Sequence, residues 1–179
     1  MHLDSARIHE VHDDPFTAMD YCFEQGWTDG LPVVPPSVER VEEMLQFEGR
    51  PHETVIANHP ATGYECTVHS AAVNAVMAGC KPRHLRIVVA AVSAMIADEF
   101  NVHGVHATTM GATPAVIVHG PARHEAGLAI EHGALGSSGT RANMSIGRAV
   151  KLGLQNCGGA RLAKTESTLS LIHISEPTS

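Results

Sequence analysis

Apolar residues recur at helical spacing in five stretches of the chain, and this pattern predicts most of its regular structure. Capping signals bound several of these stretches. Asp14 precedes a proline at the start of the first one, and Ser37 and Gly49 enclose the second one. The sequence therefore predicts helices over residues 15–25, between Ser37 and Gly49, and over 67–78, 82–97 and 141–156.

Two shorter stretches are predicted as strands, at residues 53–57 and 115–118. The second is a continuous apolar run between Pro114 and Gly120. The apolar surface of residues 82–97 is too broad for a surface helix, so this helix is expected to lie centrally. The predicted fold class is mixed α/β or α+β, helix-rich with a small sheet.

The end of the chain is expected to be non-native. Residues 169–178 match the translation of a transposon-end sequencing adapter, so the natural sequence is expected to stop near Thr168 with an incomplete C-terminus. The 179 residues are then organised as an N-terminal tail (1–13), a single truncated domain (14–161) and a disordered, non-native tail (162–179). Apolar surface uncovered by the truncation favours a homo-oligomer or a second subunit.

Charge and composition narrow the classes of partner. The formal net charge is −7 and no basic run is present, which argues against a nucleic acid or an anionic membrane surface as partner. No apolar run is long enough to span a membrane and no signal peptide begins the chain, so a cytoplasmic location is expected. Four widely spaced cysteines are expected to be reduced thiols.

The loop at residues 27–32 is the first candidate site. It joins the sole tryptophan, Trp27, to the hydroxyl of Thr28 and the carboxylate of Asp29, and Pro32 stiffens it. Rigid loops on a scaffold are good places for binding groups. The alternative is a structural turn in which Asp29 bonds nearby backbone N–H groups and Trp27 fills a gap.

A second candidate is the histidine segment at residues 101–110. His103 and His106 could carry protons near neutral pH or bind a metal, and Thr108 and Thr109 could contact a substrate. Two histidines are too few for a zinc site with three protein ligands, and in a strand they would point to opposite faces. Scattered polar or buried histidines are the alternative, and no metal ligands or cofactor are assigned.

Cys80 and the glycine-rich loop at residues 133–139 are the other candidates. Cys80 lies between two predicted helices, whose dipoles act on a thiolate in opposite senses, so it is either a nucleophile or a small buried side chain. The glycine loop opens the last helix, where free N–H groups and Arg141 could hold a carboxylate or phosphate. The loop could also be a simple connector.

Three stretches together resemble an uncharacterised bacterial family: WTDGLPVVPP at residues 27–36, AVNAVMAGCKP at 72–82 and NMSIGRAV at 143–150. The family, whose members are longer than this chain, is similar to proteins associated with the UGSC selenoprotein group. The Cys-Gly-Ser-Cys motif of that group is absent here. The resemblance implies only that six residues belong to recurring motifs: Trp27, Asp29, Asn74, Cys80, Asn143 and Arg148.

The leading hypothesis is a small-molecule enzyme or enzyme subunit in which the separated segments meet at one cleft. Thiol-linked redox or lyase chemistry would use Cys80, with His103 or His106 carrying protons and Arg141 or Arg148 holding an anionic substrate. The first alternative is a metal-dependent hydrolase or hydratase using the two histidines. The second is a non-catalytic partner subunit of a selenoprotein-like enzyme.

Overall fold

The computed structural model describes residues 8–58, 63–107, 113–130 and 139–158. Within these ranges the chain forms seven α-helices and a two-stranded antiparallel sheet, which confirms the predicted helix-rich fold with a small sheet. The domain boundary predicted at residue 161 and the tail beyond it lie outside the described residues. The elements are α1 (Pro15–Glu24), α2 (Val38–Glu48), β1 (Val55–Asn58), β2 (Glu65–Thr67), α3 (Val68–Met77), α4 (Leu85–Ile96), α5 (Val102–Ala107), α6 (Ala122–Ala126) and α7 (Arg141–Gly158).

The first two helices begin at the residues that the capping signals predicted; α2 also ends where Gly49 predicted, whereas α1 ends at Glu24, one residue before the predicted end. The Asp14 carboxylate accepts a 2.7 Å hydrogen bond from the Thr17 N–H at the start of α1. Gly49 ends α2 in the left-handed conformation, with φ of 82°, and its N–H donates to the Leu45 carbonyl. Ser37 holds the N-cap position of α2, although its side chain makes no capping hydrogen bond.

The core is built where α3, α4 and α7 pack against one another. Ala71, Ala72 and Ala75 of α3 are fully buried, and such small side chains let neighbouring helices approach closely. A predominantly apolar surface on α4 is also buried, so the prediction that this helix lies centrally is confirmed. No helix in the described part of the chain is both long and apolar enough to cross a membrane.

The sheet attaches to one end of this core. β1 and β2 pair antiparallel, with Val55 opposite Thr67, and the Ser93 hydroxyl of α4 donates to the Ile56 carbonyl at 3.0 Å. β2 leads directly into α3, where Thr67 and Ser70 form a reciprocal capping box. The chain therefore passes from strand to helix without a loop.

The predicted strand at residues 115–118 is wrong. The segment is not helical and pairs with no other strand among the described residues. Ile117 is largely exposed, and only Val118 packs against the core. An apolar run becomes a strand only when another edge satisfies its backbone groups, and nothing in the run itself specifies that edge.

Candidate functional site

The loop at residues 27–32 is held against α7 by an ion pair between Asp29 and Arg148. Arg148 Nε donates to Asp29 Oδ2 at 3.0 Å and Arg148 Nη2 donates to Oδ1 at 2.8 Å, so the pair is bidentate. These hydrogen bonds from the guanidinium hold the pKa of Asp29 below its ordinary value. The carboxylate is therefore ionised throughout the neutral range.

Further hydrogen bonds from α7 fix the path of the loop. Arg148 Nη2 also donates to the carbonyls of Pro32, at 2.8 Å, and Leu31, at 3.3 Å. Gln155, two turns along the same helix, donates from Nε2 to the Thr28 carbonyl at 2.7 Å. Thr28 in turn accepts the Gly30 N–H on its hydroxyl. Both ends of the loop are thus anchored to one helix.

An open cleft of about 620 Å³ lies between this loop, the C-terminal end of α3 and the exposed face of α7. Apolar groups, including those of Leu31, Ala78 and Met144, form much of its wall. Among the described residues its charged side chains are three cations and one carboxylate, in a chain whose formal net charge is −7. The charged residues lining the cleft are Asp29, Arg141, Arg148 and Lys151.

Arg141 joins the end of α3 to the start of α7. Gly79 follows α3 with φ of 78°, and the Cys80 N–H returns to the Ala75 carbonyl at 2.9 Å. The Arg141 Nε donates to the Gly79 carbonyl at 2.8 Å. A cation at the carbonyl end of a helix is electrostatically favourable, so Arg141 has a structural role as well as a place in the cleft lining.

Cys80, Ser145 and His84 form a buried cluster next to the cleft. Ser145 lines the cleft, its hydroxyl donates to the Arg141 carbonyl at 2.7 Å, and it acts to lower the pKa of the Cys80 thiol. Ser145 Oγ lies 3.5 Å from His84 Nδ1. Burial raises the pKa of the Cys80 thiol to about 11, against the smaller opposing effects of Ser145 and Arg141. The thiol is therefore protonated at neutral pH, and the structure gives no support to a resting Cys80 thiolate.

His84 is neutral in this cluster, because burial lowers its pKa more than its hydrogen bond to Ala126 raises it. Its Nδ1 accepts the Lys81 N–H at 3.2 Å, so the ring proton is assigned to Nε2, which donates to the Ala126 carbonyl at 3.2 Å. The sequence analysis did not select His84. His84 lies two residues after Pro82 at the start of a predicted helix. Nothing in this local sequence indicated a contact with Ser145, which is 61 residues further along the chain.

Two predicted substrate-binding residues are buried in the core instead. Asn74 is 0 % exposed and donates to the Ser70 carbonyl, while its own carbonyl accepts from Asn156 at 2.7 Å. Trp27 packs edge-on against His9 and Tyr21. Asn74 therefore does not line the cleft in this structure, and the packing of Trp27 agrees with the structural alternative, in which it fills a gap.

His103 and Asn143 are not among the described residues that line the cleft. His103 is exposed on the short helix α5. Asn143 Oδ1 accepts the Ala129 N–H at 2.9 Å. Thr108, Thr109 and the side chain of His106 lie outside the described residues. No group of three His, Cys, Asp or Glu side chains within the described ranges could hold a metal ion.

The predicted convergence is therefore partial: Asp29, Arg141 and Arg148 meet at one cleft, with Cys80 buried beside it. Comparison of the chain with protein families, with curated proteins and with solved structures finds no match.

Proposed function

We propose that the chain is an enzyme, or an enzyme subunit, that binds a small anionic molecule in the cleft between the 27–32 loop and α7. The observation that carries this proposal is the composition of the lining, where an apolar wall faces three cationic side chains and one carboxylate. Binding sites for small molecules commonly combine apolar walls with a few oriented polar groups. A carboxylate with an apolar body meets both requirements.

The arrangement of Arg148 supports a ligand carboxylate. Its Nε and Nη2 hold the loop through Asp29 and two carbonyls, which fixes the guanidinium plane. We expect a ligand at the Nη1 edge, with Lys151 adding a second positive charge. A guanidinium already held by protein groups loses little conformational entropy when a ligand binds.

The buried cluster supports the thiol-linked redox or lyase chemistry suggested by the sequence. Ser145 belongs both to the cleft lining and to the cluster, so it connects a bound ligand to Cys80 and His84. With its raised pKa, the Cys80 thiol would serve as a proton donor, or act as a nucleophile only after passing its proton to a base. In this proposal His84 takes the role first suggested for His103 or His106.

A non-catalytic partner subunit is the second candidate, and the mouth of the cleft favours it. Leu31 and Met144 line the cleft yet are 60 % and 61 % exposed. Exposed apolar side chains around a cleft are also typical of a protein interface. The kinship with the UGSC group is part of this second proposal, in which the partner is a selenoprotein-like subunit.

Calorimetric titration with benzoate tests the binding site, and benzamide is the uncharged control of almost the same shape. We expect benzoate to bind and benzamide to bind much more weakly. Arg148→Gln and Lys151→Gln should weaken benzoate binding by about 10- to 100-fold, since a hydrogen bond to a charged group contributes ~1.5–3 kcal/mol. Arg40→Gln, on the exposed surface of α2, should leave binding unchanged. Equal affinities for benzoate and benzamide would rule out the anion site.

A second experiment separates an enzyme from a binding subunit. The full chain is incubated with a mixture of small carboxylic acids, and consumption is followed by mass spectrometry beside the Arg148→Gln variant. An acid consumed by the wild-type chain and spared by the variant would support catalysis. Two results together would favour the non-catalytic subunit: the chain binds an acid without converting it, and it captures a thiol- or selenol-containing protein that the R148Q variant does not capture.

A further inference from the structure

A second pair of cysteines, remote in sequence, meets in the core at the junction of β2, α3 and α7. Cys66 of β2 and Cys157 of α7 are both buried, and their thiols lie close enough that each shifts the pKa of the other. Ser70 Oγ of α3 lies 3.4 Å from Cys66 Sγ. β2 and α7 also pack directly against one another, so the encounter of the two thiols is part of the fold.

We propose that Cys66 and Cys157 form a redox-active dithiol that a small hydroperoxide converts into a disulfide. Neither residue belongs to the cleft or to the Cys80 cluster, so this proposal is independent of the ligand-binding proposal. Within the described residues all four cysteines are free thiols, and Cys66 and Cys157 are the pair whose thiols shift the pKa of each other.

The environment assigns different roles to the two sulfurs. Each thiol shifts the pKa of the other, because sharing one proton makes the first ionisation of such a pair easier and the second one harder. Cys157 lies in the last turn of α7, whereas Cys66 is 0 % exposed. We therefore assign the attack on the oxidant to Cys157 and the resolving step to Cys66.

The reaction proceeds in two balanced steps. The Cys157 thiolate attacks the peroxide, the O–O bond breaks, and Cys157 becomes a sulfenic acid while the leaving oxygen takes a proton to form water or an alcohol. The Cys66 sulfur then attacks the sulfenic sulfur, and the sulfenic oxygen leaves as water with the Cys66 proton. Overall, two thiols are oxidised to one disulfide and one peroxide is reduced.

Burial of the pair selects the size of the oxidant. Cys66 is 0 % exposed, so a bulky disulfide such as oxidised glutathione has no direct access to it. Cys157 lies in the last turn of α7, and helix ends open more readily than helix centres. Hydrogen peroxide is scarcely larger than water and needs only such a local opening.

The neighbouring hydrogen bonds provide an optical signal for the reaction. Asn156, next to Cys157, donates to the Trp27 carbonyl at 2.9 Å and to Asn74 Oδ1 at 2.7 Å. A disulfide brings the two sulfurs to about 2.05 Å, which draws the end of α7 towards β2. Because Trp27 is the sole tryptophan, its fluorescence should change as the disulfide forms.

The test treats the folded 179-residue chain with hydrogen peroxide and maps disulfides by mass spectrometry of peptides after thiol blocking. We expect one Cys66–Cys157 disulfide, reversed by dithiothreitol, and a matching change in Trp27 fluorescence. Oxidation of Cys157 should be at least about tenfold faster than that of Cys22, whose pKa is raised by burial. A chain that stays folded with all four thiols reduced, or that links other cysteines, would overturn the proposal.

Variants define the order of the two steps. In Cys66→Ser the reaction should stop at a Cys157 sulfenic acid that dimedone traps, whereas Cys157→Ser should leave Cys66 unoxidised. The matched control Cys22→Ser should form the disulfide at the wild-type rate. Dimedone labelling of Cys66 in C157S would overturn the assigned roles. If a variant fails to fold, the peptide map of the wild-type chain decides the main proposal alone.

Discussion

Removing the ion pair between Asp29 and Arg148 should measurably destabilise the fold, because the pair joins the 27–32 loop to α7 across 119 residues of sequence. The perturbation is a double-mutant cycle of Asp29→Asn, Arg148→Gln and the two together. Arg148 also bonds the Leu31 and Pro32 carbonyls, but those bonds are lost in both variants that lack Arg148. They therefore cancel in the coupling energy.

The magnitude follows from burial and geometry. The side chain of Asp29 is 13 % exposed and that of Arg148 is 23 % exposed. The pair is therefore intermediate between fully exposed ion pairs, which contribute ~0.2–1 kcal/mol, and buried ion pairs, whose disruption costs ~3–5 kcal/mol. Two charge-assisted hydrogen bonds in a bidentate arrangement place the coupling near ~2 kcal/mol. Each single variant should then melt roughly 4–8 °C below the wild type.

Urea unfolding as a function of pH provides the assay. Since the pKa of Asp29 is lowered in the folded chain, its contribution should be fully present above the unfolded value of about 3.9 and lost as the pH falls through the folded value. The difference in free energy of unfolding between wild type and D29N should be constant from neutral pH down to about 5. This difference should disappear in stronger acid.

A cycle between Asp29→Asn and Arg40→Gln is the matched control, because Arg40 is an exposed residue of α2 and does not line the cleft. This control cycle should be additive within ~0.5 kcal/mol. If the Asp29–Arg148 cycle is additive to the same degree, the loop is not held by this ion pair and our description of the cleft wall is wrong.

Three further predictions concern the residues beside the cleft. Iodoacetamide should label Cys80 slowly in the folded chain at pH 8, and the rate should still rise towards pH 11, because the pKa of the thiol is about 11. Labelling is followed by mass spectrometry, and fast labelling at pH 8 would contradict the burial of this thiol. Gly79→Ala should lower the free energy of unfolding, measured in urea, by ~1–2 kcal/mol, because Gly79 has a φ of 78°. Gly147→Ala should raise it by up to ~1 kcal/mol, because the added Cβ meets open space. Burial lowers the pKa of His84, so wild-type stability should fall as the pH drops below about 6.5, and His84→Gln should show a smaller fall between pH 8 and 5.5; equal slopes would refute a buried neutral His84.

The helices were predictable because their signals are local. The apolar spacing of α4, the Asp14-Pro15 start of α1 and Gly49 at the end of α2 each lie within a few residues of the structure that they specify. The three-residue strand β2 and the short helices α5 and α6 were missed, since they contain too few residues for a periodicity to be recognised. Their conformation depends on packing by distant parts of the chain.

The candidate site was only partly predictable for the same reason. Asp29, Arg141 and Arg148 were selected as polar residues in unusual local sequence, and the fold brings all three to one cleft. Asn74 looked similar in sequence, but its partner Asn156 is 82 residues away and holds it in the core. His84 and Ser145 gained their significance only from a contact that no local pattern encodes.

Nuclear magnetic resonance titration of the ¹⁵N-labelled chain with benzoate tests the central claim most directly, because it locates the ligand as well as detecting it. We expect the largest amide shifts at Gly79, Ser145 and Arg148, where the end of α3 faces α7, with no comparable shifts on α2. Benzamide should produce much smaller changes, and Arg148→Gln should abolish the benzoate pattern. Shifts centred elsewhere, or the same pattern with benzamide, would show that this cleft is not an anion-binding site.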